Sequence, residues 1–379
     1  MAGALDYVGS YVWSEKFWFP ENVSWKDIEN HDEGPNAGIY HPQISDLIMP
    51  IPVAVLLGVI RFCFERFIAA PIGRSYGLRE GKIMVAEYIP ILEKAYRKTK
   101  RPDDKAIEGF SKKLSKSTRQ VERWFRKRRN QDRSSELKKF CESGWRFLFY
   151  VSAHIYGTVI LWNKRYFAET LHCWIGWPHQ HVSSDLYWYY MIELGFYVAL
   201  AFSLMTDVRR KDFYEMIIHH IATIGLLTFS WINNMVRIGS LVLVVHDAVD
   251  YWMEGAKMAK YIRKQKICDA MFVVFAVVWF VTRLVIFPIW VLHPCLASDS
   301  GMHEVIHESW PALFVSRCMI VVVFLLSIIW TYFISMNIYR RVVDKVQKDE
   351  RSDSESAVTE EETNGTVLDG NLNVNKKKE

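Results

Sequence analysis

The chain has 379 residues, half of them hydrophobic, and carries 47 Lys and Arg against 42 Asp and Glu, a net charge of +5. Its mean hydropathy is near zero, but that average hides long apolar runs alternating with strongly charged connectors, which excludes a soluble globular enzyme. The six cysteines follow neither metal-ligand nor disulfide-framework spacing, and no internal repeat is visible.

The N-terminus is polar and aromatic, without the basic-then-apolar order of a cleavable signal peptide. Residues 1–45 read as a lumenal segment and the first apolar run as the insertion signal. Runs able to cross about 30 Å of hydrocarbon at about 1.5 Å per residue lie at Asp46–Phe64, Trp145–Trp162, Leu186–Met205, Phe213–Ile232, Val236–Met253, Asp269–Leu292 and Pro311–Met336. Trp145, Trp188 and Trp310 sit near their ends, where amphipathic rings favour the membrane interface. The predicted fold is an all-α polytopic membrane protein of about seven transmembrane helices. The first spans 46–64, residues 65–144 form a connector, 145–338 a membrane-embedded domain of six helices, and 339–379 a tail.

Lys and Arg set the orientation. The connector 66–144, Arg209–Arg210–Lys211, the stretch Lys257–Lys266 and Arg340–Arg341 are basic, whereas 163–185 and 293–310 are not. Seven spans put every basic connector in the cytosol, the N-terminus in the lumen and the C-terminus in the cytosol. Asn22 heads a glycosylation sequon on the lumenal side; Asn364 heads one in the cytosolic tail, where it stays unmodified.

Within the basic connector, IEGFSKKLSKSTRQVERWFRKRRNQDR (107–133) resembles the second half of a homeodomain, through Trp124, Phe125, Arg128 and Arg129. The expected cytosolic insert covers 81–135, although 81–101 lacks a clear first-helix pattern. Homeodomains place an adenine-reading asparagine just before the Arg pair; Lys127 stands there, which opposes sequence-specific DNA binding and leaves a structural or lipid-facing module.

Two polar pairs interrupt apolar helices: His219–His220 in FYEMIIHHIATIGLLTF, and Asp247 with Asp250 in GSLVLVVHDAVDYWM. A carboxylate at bilayer depth costs about 2.5–3.5 kcal/mol on insertion scales, so such groups mark function by default. Counting from the cytosolic helix ends puts His219 about 10 Å deep and Asp250 and Asp247 about 10 and 15 Å deep. Asp247 and Asp250 share a helical face; His219 and His220 differ by about 100°, so only one points straight at the carboxylates. A histidine beside a carboxylate suits general-base work, and imidazole can also be acylated by a thioester. Arg209, Arg210, Lys211, Lys257 and Lys260 would hold a polyanionic donor such as coenzyme A, while a lipid acceptor enters from the bilayer. Glu193 is placed to meet a substrate ammonium; His154 and Arg283 read as structural partners.

Cys173 and Cys295 both fall in lumenal connectors, where pairing and free thiols are both open. From Lys348 onward the chain is acidic and Ser/Thr-rich, the composition of a disordered tail. Ser352, Ser354 and Ser356 lie among acidic residues, as acidophilic kinase sites do, and Lys376-Lys377-Lys378-Glu379 resembles a dilysine retrieval signal of the endoplasmic reticulum.

YYMIELGFY, SLMTDVRRKDF, IIHHIAT and FSWINNMVRIGSLVLVVHDAVDYWMEGAKM together resemble the Lag1 motif region of ceramide synthases, and WSEKFWFPENVSWKD and DERSDSES resemble the same family. The resemblance implies transfer of a fatty acyl group from acyl-coenzyme A, a substrate, to a sphingoid base in the endoplasmic reticulum membrane, with no resident cofactor or metal. It marks His219, His220, Asp247 and Asp250 as catalytic, admits a homo- or heterodimer, and associates the connector 293–310 with acyl-chain choice. Three rival readings fit less well. A seven-span receptor does not need two His facing two Asp, and Lys127 opposes a membrane-tethered DNA-binding regulator. A di-iron desaturase needs more histidines than His219, His220 and His246.

Overall fold

The computed structural model describes residues 10–30, 38–79, 85–132, 135–206, 212–296 and 310–343, and the regular structure among them is helical. α1 (Pro50–Phe64) opens on a proline, whose missing N–H costs nothing in a first turn. It continues through a π-helical turn, Glu65–Ala69, and a last turn, Ala70–Ser75. Three shorter helices follow, α2 (Pro90–Lys98), α3 (Asp104–Leu114) and α4 (Thr118–Asp132). The long helices α5 (Glu136–Leu161), α6 (Ser184–Thr206), α7 (Phe213–Ile232) and α8 (Val236–Tyr261) come next. α9 (Gln265–Trp279) runs on through π-helical turns at Phe280–Ile286 and Pro288–Leu292 to His293–Leu296, and α10 (Pro311–Val343) ends the described chain.

The segments Ile44–Ser75, Phe213–Ile232, Gln265–Leu296 and Pro311–Arg341 are long and apolar enough to cross a membrane. α5, α6 and α8, of 26, 23 and 26 residues, have the length as well. They are less apolar because they bury polar groups against one another: Glu142 and Ser143 on α5, Glu193 on α6, and His246, Asp247 and Glu254 on α8. Intramembrane polar groups belong on such interior faces.

Several helices run past the predicted spans, although α1 starts at residue 50 rather than 46 and α5 ends at 161 rather than 162. α7 coincides with its span, but α5 starts at residue 136 rather than 145, α8 runs to 261 rather than 253, and the first helix to 75 rather than 64. Helices here outlast their apolar stretches because the charged ends are satisfied. Ser135 Oγ caps α5 by accepting from Lys138 N at 3.1 Å. Glu254 of α8 pairs with Arg146 of α5 at 3.2 Å and with Lys257 at 2.9 Å.

α5 and α8 lie together along their length, α9 flanks α8, α1 packs on α6 and α10 on α7. Gly157 permits a close approach: a Cβ there would sit 2.6 Å from the Tyr189 hydroxyl of α6 and 2.7 Å from Val244 Cγ2 of α8.

The turn Asn233–Met235 joins α7 to α8 and is the anchor of one end of the bundle. Asn234 adopts φ +50°, a left-handed conformation that Asn tolerates. Its buried amide donates to Pro178 O at 2.6 Å and Gln180 O at 2.9 Å. Asn233 accepts from Trp177 Nε1 and Trp310 Nε1 at 2.8 and 3.2 Å, and those two indoles stack 5.2 Å apart. The N-terminal segment closes the same end, where Trp231 Nε1 donates to Gln43 O at 3.1 Å and Val182 N to Tyr40 O at 2.9 Å.

Near the other end of α1 and α5, α2, α3 and α4 enclose a core of their own. Leu92, Tyr96, Ile107, Val121, Trp124 and Phe125 are buried in it. The first helix, indistinct in sequence, contributes only Leu92 and Tyr96, one turn apart on a single face, which is too short a pattern to read alone. Trp124 Nε1 donates to Glu87 O at 2.5 Å, and Arg128 spans to Glu93 at 2.9 Å and to Asp132.

Candidate active site

Three of the four residues of the polar pairs, His219, His220 and Asp250, line a cavity of about 180 Å³ between α5, α6, α7, α8, α9 and α10. It runs from Lys139, Arg146, Glu254 and Lys257 down to Asp250, His219, His220 and His246. From Lys257 to His246 is about three turns of α8, or about 16 Å. A second cavity, of about 90 Å³, has an apolar lining that includes Leu227, Ile238, Val242, Leu313 and Ile320, and continues toward the Asn233–Met235 end. His219, His246 and Tyr197 line both cavities. Two imidazoles therefore stand between a charged cavity and an apolar one.

Eight of the fourteen predicted site residues lie among the described residues. His219 faces the junction, its ring edge-on to Trp330 of α10 at 5.3 Å. His220 points elsewhere, as the 100° helical step requires: it is buried, its Nδ1–H donates to Met216 O at 2.6 Å, and it borders only the charged cavity. That bond fixes the tautomer and leaves Nε2 as an acceptor. Asp250 lines the charged cavity with the histidines, whereas Asp247 is fully buried behind it. Asp247 turns toward Glu193 of α6, equally buried, and the two carboxyl groups face each other in contact. A single proton would join them; without one, none of their four oxygens has a donor among the described residues. Glu193 thus lies outside the lining of the charged cavity. Lys257 lines the cavity mouth and Lys260, nearly one turn on, does not. Arg209, Arg210, Lys211, Ser352, Ser354 and Ser356 lie outside the described residues, as do Asn364 and the C-terminal lysines. Asn22 is exposed in a turn ahead of the short helix Trp25–Ile28.

Sequence reasoning missed Lys139 and Arg146, which bring the basic end of α5 to the mouth; Arg283 and His154 it read as structural partners. Arg283 sits in the π-helical stretch of α9, where the widened turn presents it to the interior. Its Nη2 donates to His246 O at 3.0 Å and its guanidinium lies 5.3 Å over Trp279. Its charge reaches Asp250 and Asp247, a balancing cation for the buried acids. His154 accepts a lesser part: its Nδ1 lies 3.2 Å from Val244 O, tying α5 to α8. Cys173 and Cys295 are both buried free thiols. Among the described residues, no three His, Cys, Asp or Glu side chains converge in a way that could hold a metal ion.

Comparison with known proteins bears on the whole chain. The TLC domain family matches residues 139–336, and the homeodomain family matches 82–134. Ceramide synthase 5 of Homo sapiens is 43% identical over 364 residues, covering 95% of this chain and 90% of that protein. Ceramide synthase 3 of Homo sapiens is 39% identical, covering 91% and 88%. Ceramide synthase hyl-1 of Caenorhabditis elegans is 31% identical, covering 91% and 84%. The charged cavity lies within the TLC match, and with identity sustained over nearly the full length the chain belongs to the ceramide synthase family of membrane acyltransferases.

Proposed function

We propose that the protein transfers the acyl group of a fatty acyl-coenzyme A to the amine of a sphingoid base, sphinganine or sphingosine, to give the corresponding ceramide. The observation that carries this reading is the junction of the two cavities at His219. A thioester with a polyanionic head and an apolar tail needs both environments with the reacting carbon between them. Lys139, Arg146 and Lys257 take the phosphates, the apolar cavity takes the acyl chain, and the carbonyl lies at the imidazole. His219 attacks the thioester, the C–S bond breaks and the proton leaves with the thiol; the amine then attacks the acyl-imidazole. Asp250, at the cavity wall, balances charge on the histidines. Asp247 with Glu193 and Arg283 forms the buried support behind it, and His220 braces α7. Coenzyme A enters as part of a substrate, and no resident cofactor takes part.

Seven membrane crossings complete the reading, with α5, α6 and α8 crossing beside the four more apolar segments. The basic mouth then faces the cytosol and the aromatic-capped end the lumen of the endoplasmic reticulum. The α2–α4 unit is cytosolic, Asn22 is available for glycosylation, and the Ser352–Ser356 run is open to acidophilic kinases. Family resemblance supports a dimer.

Intact-protein mass spectrometry after exposure to acyl-coenzyme A alone tests the first step. The expected result is one acyl adduct, mapped to His219 and absent from His219→Ala. Turnover with no adduct at any time contradicts a covalent route.

A further inference from the structure

His246 is a histidine at this site to which the scheme above gives no role. It sits halfway along α8, is 7% exposed, and shares with His219 and Tyr197 the position lining both cavities. Two contacts hold its ring and a third its backbone. Nδ1–H donates to Val242 O at 2.8 Å, the Phe287 ring meets it edge-on at 5.0 Å, and its own backbone carbonyl accepts from Arg283. With the N–H committed at Nδ1, the lone pair lies on Nε2. Nε2 is buried and has no hydrogen-bond partner among the described residues. A buried imidazole acceptor without a donor is costly to keep. The titratable groups whose fields reach this ring are His219 of α7 and Arg283 of α9.

We propose that His246 is a second catalytic histidine, the base that accepts the proton of the attacking amine and passes it to the departing nitrogen of His219. This rests on the reading that His219 carries the acyl group. The amine nitrogen attacks the acyl carbon while its N–H proton moves to His246 Nε2. The bond from carbon to the His219 nitrogen then breaks, and that nitrogen takes the proton from His246. An amide has formed, both imidazoles end neutral, and no further reactant is needed. Two histidines are required because the one bearing the acyl group cannot also deprotonate the amine.

The test separates the two half-reactions in the purified full-length protein. His246→Asn keeps an amide donor near the Nδ1 position and removes the base; His246→Gln serves as the second variant should the first fail to fold. Each is loaded with acyl-coenzyme A, the adduct is quantified by intact mass, and it is then chased with sphinganine over a range of pH. The expected result is a wild-type adduct level, a sphinganine chase slower by about 10²–10⁴-fold, and loss from its pH profile of one ionisation that the wild-type chase shows. Equal sphinganine chase rates in variant and wild type overturn the proposal. So does loss of the adduct, or a slowed chase that keeps the wild-type pH profile, in folded variants, which marks His246 as structural. A wild-type protein that turns over without ever carrying an adduct overturns the acyl-histidine reading itself, an outcome distinct from the others.

Discussion

At the scale of single residues, the account turns on which side chains stand at the junction of the two cavities. His219→Ala removes the group facing the reacting carbon, and acyl transfer measured on purified protein should fall by about 10²–10⁴-fold with the fold intact. Gly239 tests the apolar side. A Cβ there would lie 1.7 Å from the Tyr190 hydroxyl, which is held at 2.7 Å by Ser230 Oγ on the cavity wall. Gly239→Ala must displace Tyr190 into the cavity, so thermal unfolding in detergent should report a loss of about 1–3 kcal/mol. Activity should fall more steeply for longer acyl donors than for shorter ones.

Elements add constraints that no single cavity residue supplies. The Asn233–Met235 turn sets the register of α7 against α8, and so the level at which His219 meets Asp250. Asn234→Ala gives up two buried hydrogen bonds and strains a left-handed backbone, at a cost of about 2–3 kcal/mol. Asn234→Gly keeps the backbone freedom and should recover part of the loss in the same melting experiment. The α2–α4 unit stands on the burial of Trp124 and Phe125 and on the Arg128–Glu93–Asp132 cluster. Trp124→Ala should cost this unit about 3–5 kcal/mol, read as lost amide-exchange protection over 90–132 in the full chain. Its acid response follows from Glu93, whose hydrogen bond to Arg128 holds its carboxyl below the usual range. A depressed carboxyl stabilises the folded state above its unfolded value, about 4.3, and loses that contribution as pH falls through the folded value. Protection of α2 and α4 should therefore weaken below about pH 4.3, and less so in Glu93→Gln.

Over the whole molecule, much of the helical layout is legible in the chain because long apolar runs have few other solutions, and α7 matches its run at both ends. What the runs conceal is how far helices continue once charges pair off, as Arg146, Glu254 and Lys257 do between α5 and α8. That His219, His220 and Asp250 come to one cavity is legible too, since counting from the helix ends puts the polar pairs at matched depth. Their individual positions are not: a 100° step says that His219 and His220 diverge but not which one stands at both cavities. Nor does any spacing show that Asp247 turns away toward Glu193, or that His246 keeps an open nitrogen beside His219. Those facts come from the approach of α5, α6, α8 and α9, contacts between residues far apart in sequence. The central claim, acyl transfer to a sphingoid base at this junction, is tested most directly by ceramide formation in microsomes lacking endogenous synthases. They are supplied with sphinganine and a panel of acyl-coenzyme A donors, with wild type beside His219→Ala and Asp247→Asn at equal expression. The account predicts ceramide from wild type with at least one donor and none above background from either variant; a silent wild type with every donor, or undiminished variants, would contradict it.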